Sequence, residues 1–143
     1  MKEKNIFKIL SIEAKNKKVE YRYEAEGKWR EIIKKNNLFS LEYTRDISGV
    51  PKSVLAIPLL CNILPIAWVI DGIIEVPECD KDFVNCLPDV KRGYEEMYPN
   101  FSFGGKIIVS NIVDSKTSNE KKALTLFSGG IDAFFSLVRH LFL

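Results

Sequence analysis

Residues 123–143 read ALTLFSGGIDAFFSLVRHLFL, and this stretch constrains the fold more than any other. Residues 123–127 are a short apolar run, the pattern of a strand buried on both faces inside a parallel sheet. Ser128-Gly129-Gly130 then turns the chain tightly, and a helix is expected from Ile131 onward. A strand, a glycine turn and a helix start make an anion site. The first amides of a helix have no partner within it, and the helix dipole places partial positive charge there. Glycine lets a phosphate approach the backbone without meeting a side chain. Ser128 adds a hydroxyl beside those amides, and Asp132 falls in the first helical turn, where it either helps orient a magnesium ion or caps the loop.

LFSGGIDAFFSL resembles the phosphate loop of the PP-loop ATP pyrophosphatase superfamily, Ser-Gly-Gly-x-Asp-Ser after a buried strand. That superfamily includes 7-cyano-7-deazaguanine synthase, asparagine synthetase, argininosuccinate synthetase and the tRNA-thiolation enzymes, and this chain looks most similar to proteins of the 7-cyano-7-deazaguanine synthase type. The resemblance implies cleavage of ATP between the α and β phosphates to activate an oxygen by adenylation, with ATP and magnesium as cofactors. Ser128, Gly129, Gly130 and Asp132 would then form the pyrophosphate-binding loop. Ala133 departs from the pattern, since a second serine normally stands there. The match spans about twenty residues. Upstream, LPIAWVIDGIIEV and GYEEMYPNFSFGG look similar to the leader region of proteins carrying an SGG(V/I)DA loop.

Before that stretch the pattern is that of a small α+β unit. In residues 19–25 the apolar Val19, Tyr21, Tyr23 and Ala25 alternate with Glu20, Arg22 and Glu24, the period of a half-buried strand. Residues 6–12 suggest its hairpin partner across the polar turn 15–18, and 38–43 a third strand. Residues 47–51 mark a turn. Ser53 is then expected to cap a helix over 53–63, with Pro58 and Pro65 each interrupting or beginning a helical segment. A strand near 73–76 leads to Asp80, expected to cap a helix over 81–98 whose apolar face is Phe83, Cys86, Leu87, Val90, Tyr94 and Met97. Gly104-Gly105 turns into a strand at 106–109. The expected organisation is therefore an α+β domain over 1–110, a polar linker over 111–122, and at 123–143 the first strand-loop-helix of a truncated doubly wound α/β domain.

Composition excludes several classes. The chain has 143 residues, 46% hydrophobic and 28% charged, which is a core-forming mixture rather than a disordered one. A net charge of +2 gives no footprint for nucleic acid. The most apolar stretch, 54–70, carries Pro58, Asn62 and Pro65 and falls short of a bilayer span, and no signal peptide is evident, so a cytoplasmic location is expected. Cys61, Cys79 and Cys86 lack paired spacing, and the single histidine, His140, is remote, so no metal site is expected. Cys61 reads as a core residue, and His140 as a surface or packing histidine. Glu78, Asp80 and Asp82 read as a solvated helix start, and Tyr21, Tyr23, Trp29, Phe39 and Tyr43 as core aromatics rather than a base-stacking surface.

Two functions follow as expectations. The first is the N-terminal part of an ATP-dependent, adenylating PP-loop enzyme, inactive as this short chain and holding phosphate or nucleotide only weakly. The second is a small noncatalytic interaction protein that docks on a partner, or on itself, through the apolar residues of 123–143.

Overall fold

The computed structural model describes residues 4–33 and 37–115. The strand-loop-helix at 123–143, with Ser128, Gly129, Gly130, Asp132 and His140, lies outside the described residues. Those described form an α+β fold of five strands and three helices: β1 (Ile6–Lys15), β2 (Lys18–Ala25), α1 (Lys28–Ile32), β3 (Leu38–Glu42), α2 (Lys52–Val69), β4 (Ile73–Asp80), α3 (Lys81–Met97) and β5 (Lys106–Val113). The strands make one mixed sheet in the order β3-β2-β1-β4-β5. The first three strands pair antiparallel, and β1, β4 and β5 run parallel.

Alternation produces the antiparallel half. Val19, Tyr21 and Tyr23 turn inward and are buried, and Phe7, Ile9 and Ile12 of β1 meet them from across the hairpin. The Phe7 and Tyr23 rings stack with centroids 4.6 Å apart, and Trp29 of α1 closes on Phe7 at 5.2 Å. A bulge at Leu10 shifts the β1–β2 register between Ile9 and Ser11, so that Ile12 returns to the inner face. Asn16, at positive φ, makes the tight turn of that hairpin. Its carbonyl accepts the Ile47 amide at 2.7 Å, which ties down the loop leading to α2.

α2 packs across the parallel half of the sheet, and its Leu55, Ala56, Leu59, Leu60, Ile63, Leu64, Ala67 and Trp68 supply much of the core. It differs from the sequence expectation in two ways. It runs unbroken through both prolines, and its cap is Pro51 rather than Ser53, with no side-chain cap bond. Burial against the sheet outweighs the local cost of proline. Pro58 withholds its amide from the Val54 carbonyl, and at the neighbouring Leu55 carbonyl Tyr21 Oη donates at 2.8 Å in the core. By length and composition α2 is apolar enough to cross a membrane, but half of it is buried within the fold, as a core helix requires.

β4, α3 and β5 form a β-α-β unit. Asp80 caps α3 as the sequence predicts, its Oδ1 accepting from the Asp82 amide at 2.9 Å and the Phe83 amide at 3.1 Å. β5 extends to Val113, so Asn111, Ile112 and Val113 of the expected linker belong to the sheet. Gly105 starts that strand at φ +65°, and a Cβ there would lie 2.5 Å from the Ala67 carbonyl oxygen, so only glycine fits.

Candidate functional site at the carboxyl edge of the sheet

Ligands of open α/β sheets bind beyond the carboxyl ends of the strands, where helices begin. In this protein that edge is also where the described chain is handed on toward 123–143. Just past β5, Ser115 shares a hydrogen bond with Ser53, Oγ to Oγ, at 2.7 Å. Ser53 is the only buried polar residue among those described, at 1% exposure, so its role is to receive Ser115 and not to cap α2. A hydrogen bond from the Phe83 amide, helped by lesser ones from Ser115 and the Asp82 amide, holds the Asp80 carboxyl below its ordinary range against the opposing effect of burial. Ser115 therefore joins the first turn of α2 to the cap of α3, and two helix starts meet at one edge.

The two starts differ. α3 is neutralised by Asp80, whereas α2 has no side-chain cap and adds the cation of Lys52. Beside it β1 and β4 separate, since their pairing ends at Lys8 opposite Glu75. The gap is a cavity of about 370 Å³ lined by Leu10, Ser11, Ile12, Lys52, Pro77, Glu78 and Asn111. Ser11 Oγ is buried there without a hydrogen-bond partner. Lys52 and the open helix start favour an anion, and Glu78 opposes one. Among the described residues no group of three His, Cys, Asp or Glu side chains is placed to hold a metal.

The opposite edge carries a larger cleft, about 560 Å³, lined by Lys4, Asn5, Lys28, Asp71 and Lys106 among others. Two of its polar side chains are spent on the fold. Asp71 Oδ1 accepts the Gly105 amide at 2.8 Å, and Asn5 bonds both the Ile70 carbonyl and the Lys28 amide. Charge reading along the sequence did not bring these lysines together, because they come from three separate segments.

A third feature is apolar. Pro65 and Val69 of α2, Tyr94 of α3, and Tyr98, Phe101 and Phe103 beyond it line a groove of about 200 Å³. The rings form a chain: Trp68 to Tyr94 at 5.6 Å, Tyr94 to Phe103 at 6.3 Å, Tyr98 to Phe101 at 6.4 Å. Phe101 is 59% exposed and Tyr98 47%. The aromatic density of GYEEMYPNFSFGG was its sequence signal, but residues beyond a helix end show no periodicity that separates core from surface.

The cysteines correct one expectation. Cys61 is exposed, on the side of α2 away from the core, and Cys79 is the buried one. Burial pushes the Cys79 thiol up to about 11, so it stays protonated and unreactive. Tyr21, Tyr23 and Trp29 are core as expected, whereas Tyr43 is exposed at 37%.

No protein family, curated protein or solved structure matches the chain.

Proposed function

We propose that residues 123–143 open a nucleotide-binding domain of the PP-loop type, doubly wound α/β in architecture, and that the α+β fold described above is its N-terminal companion. The observation that carries this reading is the sequence Ser128-Gly129-Gly130-Ile131-Asp132 directly after an apolar strand pattern and before a helical one. The carboxyl edge supports it, because Ser115 leaves the sheet among helix starts. In this reading the amides of Gly129 and Gly130 and the Ser128 hydroxyl hold phosphate oxygens, and Asp132 orders the loop or faces a magnesium ion. ATP with magnesium is the cofactor of the reaction class, an adenylation in the cytoplasm. The 143 residues contain one strand-loop-helix of that domain, and charge stabilisation of a leaving pyrophosphate takes groups from several strands. Residues 1–143 by themselves are therefore expected to hold phosphate weakly, without preference for the base and without converting ATP to AMP.

Titration of the full chain with pyrophosphate, ATP and GTP, following the amide resonances of Gly129 and Gly130, tests the reading. Similar weak shifts with all three are expected, and Asp132→Ala alters them. No response at any millimolar concentration makes the loop purely structural. The second reading, a noncatalytic interaction protein, is favoured by the exposed Tyr98 and Phe101, and an unresponsive loop would promote it.

A further inference from the structure

We infer that the aromatic groove between the carboxyl ends of α2 and α3 is the seat of residues 131–143 of the same chain. Nothing else among the described residues covers it. Pro65, Val69, Tyr94, Tyr98, Phe101 and Phe103 present almost no polar atom to the groove, and the exposed rings at its rim gain by being covered. The segment has the matching need. Ile131, Phe134, Phe135, Leu137, Val138, Leu141, Phe142 and Leu143 surround a helix on most sides, and a helix apolar all round requires two partner surfaces rather than one. One face suits the sheet of its own domain, which leaves another for the groove.

Charge agrees with this pairing. The last turn of α3 carries Glu95 and Glu96 at the negative end of the helix dipole, with no basic residue in that turn. Arg92 lies 3.9 Å from Glu96, and Glu95 has no ion-pair partner among the described residues. The segment brings Arg139 and His140 against a single acid, Asp132.

Reach agrees as well. The described chain ends at Ser115, bonded to the start of α2, and the groove lies at the other end of that helix. An 18-residue helix is about 27 Å long. Residues 116–130 span up to roughly 50 Å when extended. Tethering also favours this occupant over a second copy of the chain, because a covalent connection of this length gives an effective concentration in the millimolar range.

The inference rests on the proposed function for the helical form of 131–143 and for the sheet that takes its other face, and its test reads no nucleotide. A photo-reactive phenylalanine analogue placed at Phe101 of the full chain is irradiated at low protein concentration, and the joined peptides are mapped by mass spectrometry. Crosslinks within one chain, to peptides of 131–143, are expected. Leu137→Asp in the same chain should reduce their yield roughly tenfold, since it places a charge in the apolar contact. The far-UV spectrum and melting of that variant establish that the α+β domain is still folded. Crosslinks found only in dimer-sized species assign the groove to a second copy and overturn the proposal. So do crosslinks that avoid 131–143, and a yield unchanged by Leu137→Asp in the folded variant. Phosphate shifts at Gly129 and Gly130 without the crosslink sink this inference alone; the crosslink without the shifts sinks only the nucleotide reading.

Discussion

Asp80 condenses the chemistry of the carboxyl edge into one side chain. It caps α3 through two amides and also meets Ser115, two residues past the end of β5. Its replacement by alanine removes a cap worth about 1 kcal/mol and leaves Ser115 with Ser53 alone. Asp80→Ala should therefore lower the unfolding free energy by about 1 kcal/mol, seen as a lower urea midpoint with no change in slope. The effect also carries a pH signature. The folded-state pKa lies below the unfolded one because the Phe83 amide favours the charged form. The stabilisation is thus present above the ordinary carboxylate range and is lost as pH falls through the folded pKa. Wild type and variant should differ at neutral pH and converge in acid, and a constant gap across that range would show that the carboxylate is not the cap. The role of Asp80 was legible in the sequence, since a carboxylate before an amphipathic run is a local signal. The role of Ser53 was not. Its position before an apolar run also looks like a cap, and its true partner is 62 residues away.

The strands of the first hairpin, 6–12 and 19–25, declare themselves by alternation, and β1 and β2 contain them with only their ends extended. The helices are less faithful to their local pattern. α2 is apolar all round, so its periodicity says nothing about its length, and the prolines suggest breaks that packing on the sheet overrides. α3 shows the reverse. Its apolar stripe is clear in the sequence, yet only Leu87 of its 17 residues is buried, and Val90 and Met97 stand 43% and 69% exposed. A stripe tells which face a helix offers and not how much of that face is taken. Leu87 is the anchor. Leu87→Ala is expected to cost about 2–3 kcal/mol in chemical denaturation, through lost transfer energy and the cavity left behind. Val90→Ala, one turn along the same stripe, should change stability by less than about 0.5 kcal/mol. Equal losses at the two positions would mean that the stripe is covered along its length.

For the molecule as a whole, strand order is what no local pattern contains. β1 sits between β2 and β4 because α2 carries the chain back across the sheet, and that crossover brings the starts of α2 and α3 to the edge where Ser115 lies. The aromatic groove is a product of the same crossover, since it needs the carboxyl ends of both helices side by side. The described core is closed without residues 123–143: its buried cluster runs from Phe7 to Leu87 and draws on all of β1, β2, β4, α1, α2 and α3. Ending the chain after Lys122 should therefore leave a domain that unfolds in a single cooperative transition with the same far-UV spectrum. It should also bind more of an apolar-surface dye than the full chain does, because the groove loses its cover while the core stays shut. The two outcomes separate the two roles of the segment. Cooperative melting with unchanged dye binding would show that 131–143 rests elsewhere, and loss of the cooperative transition would make the segment part of the core, with the division between the two units lying outside 111–122.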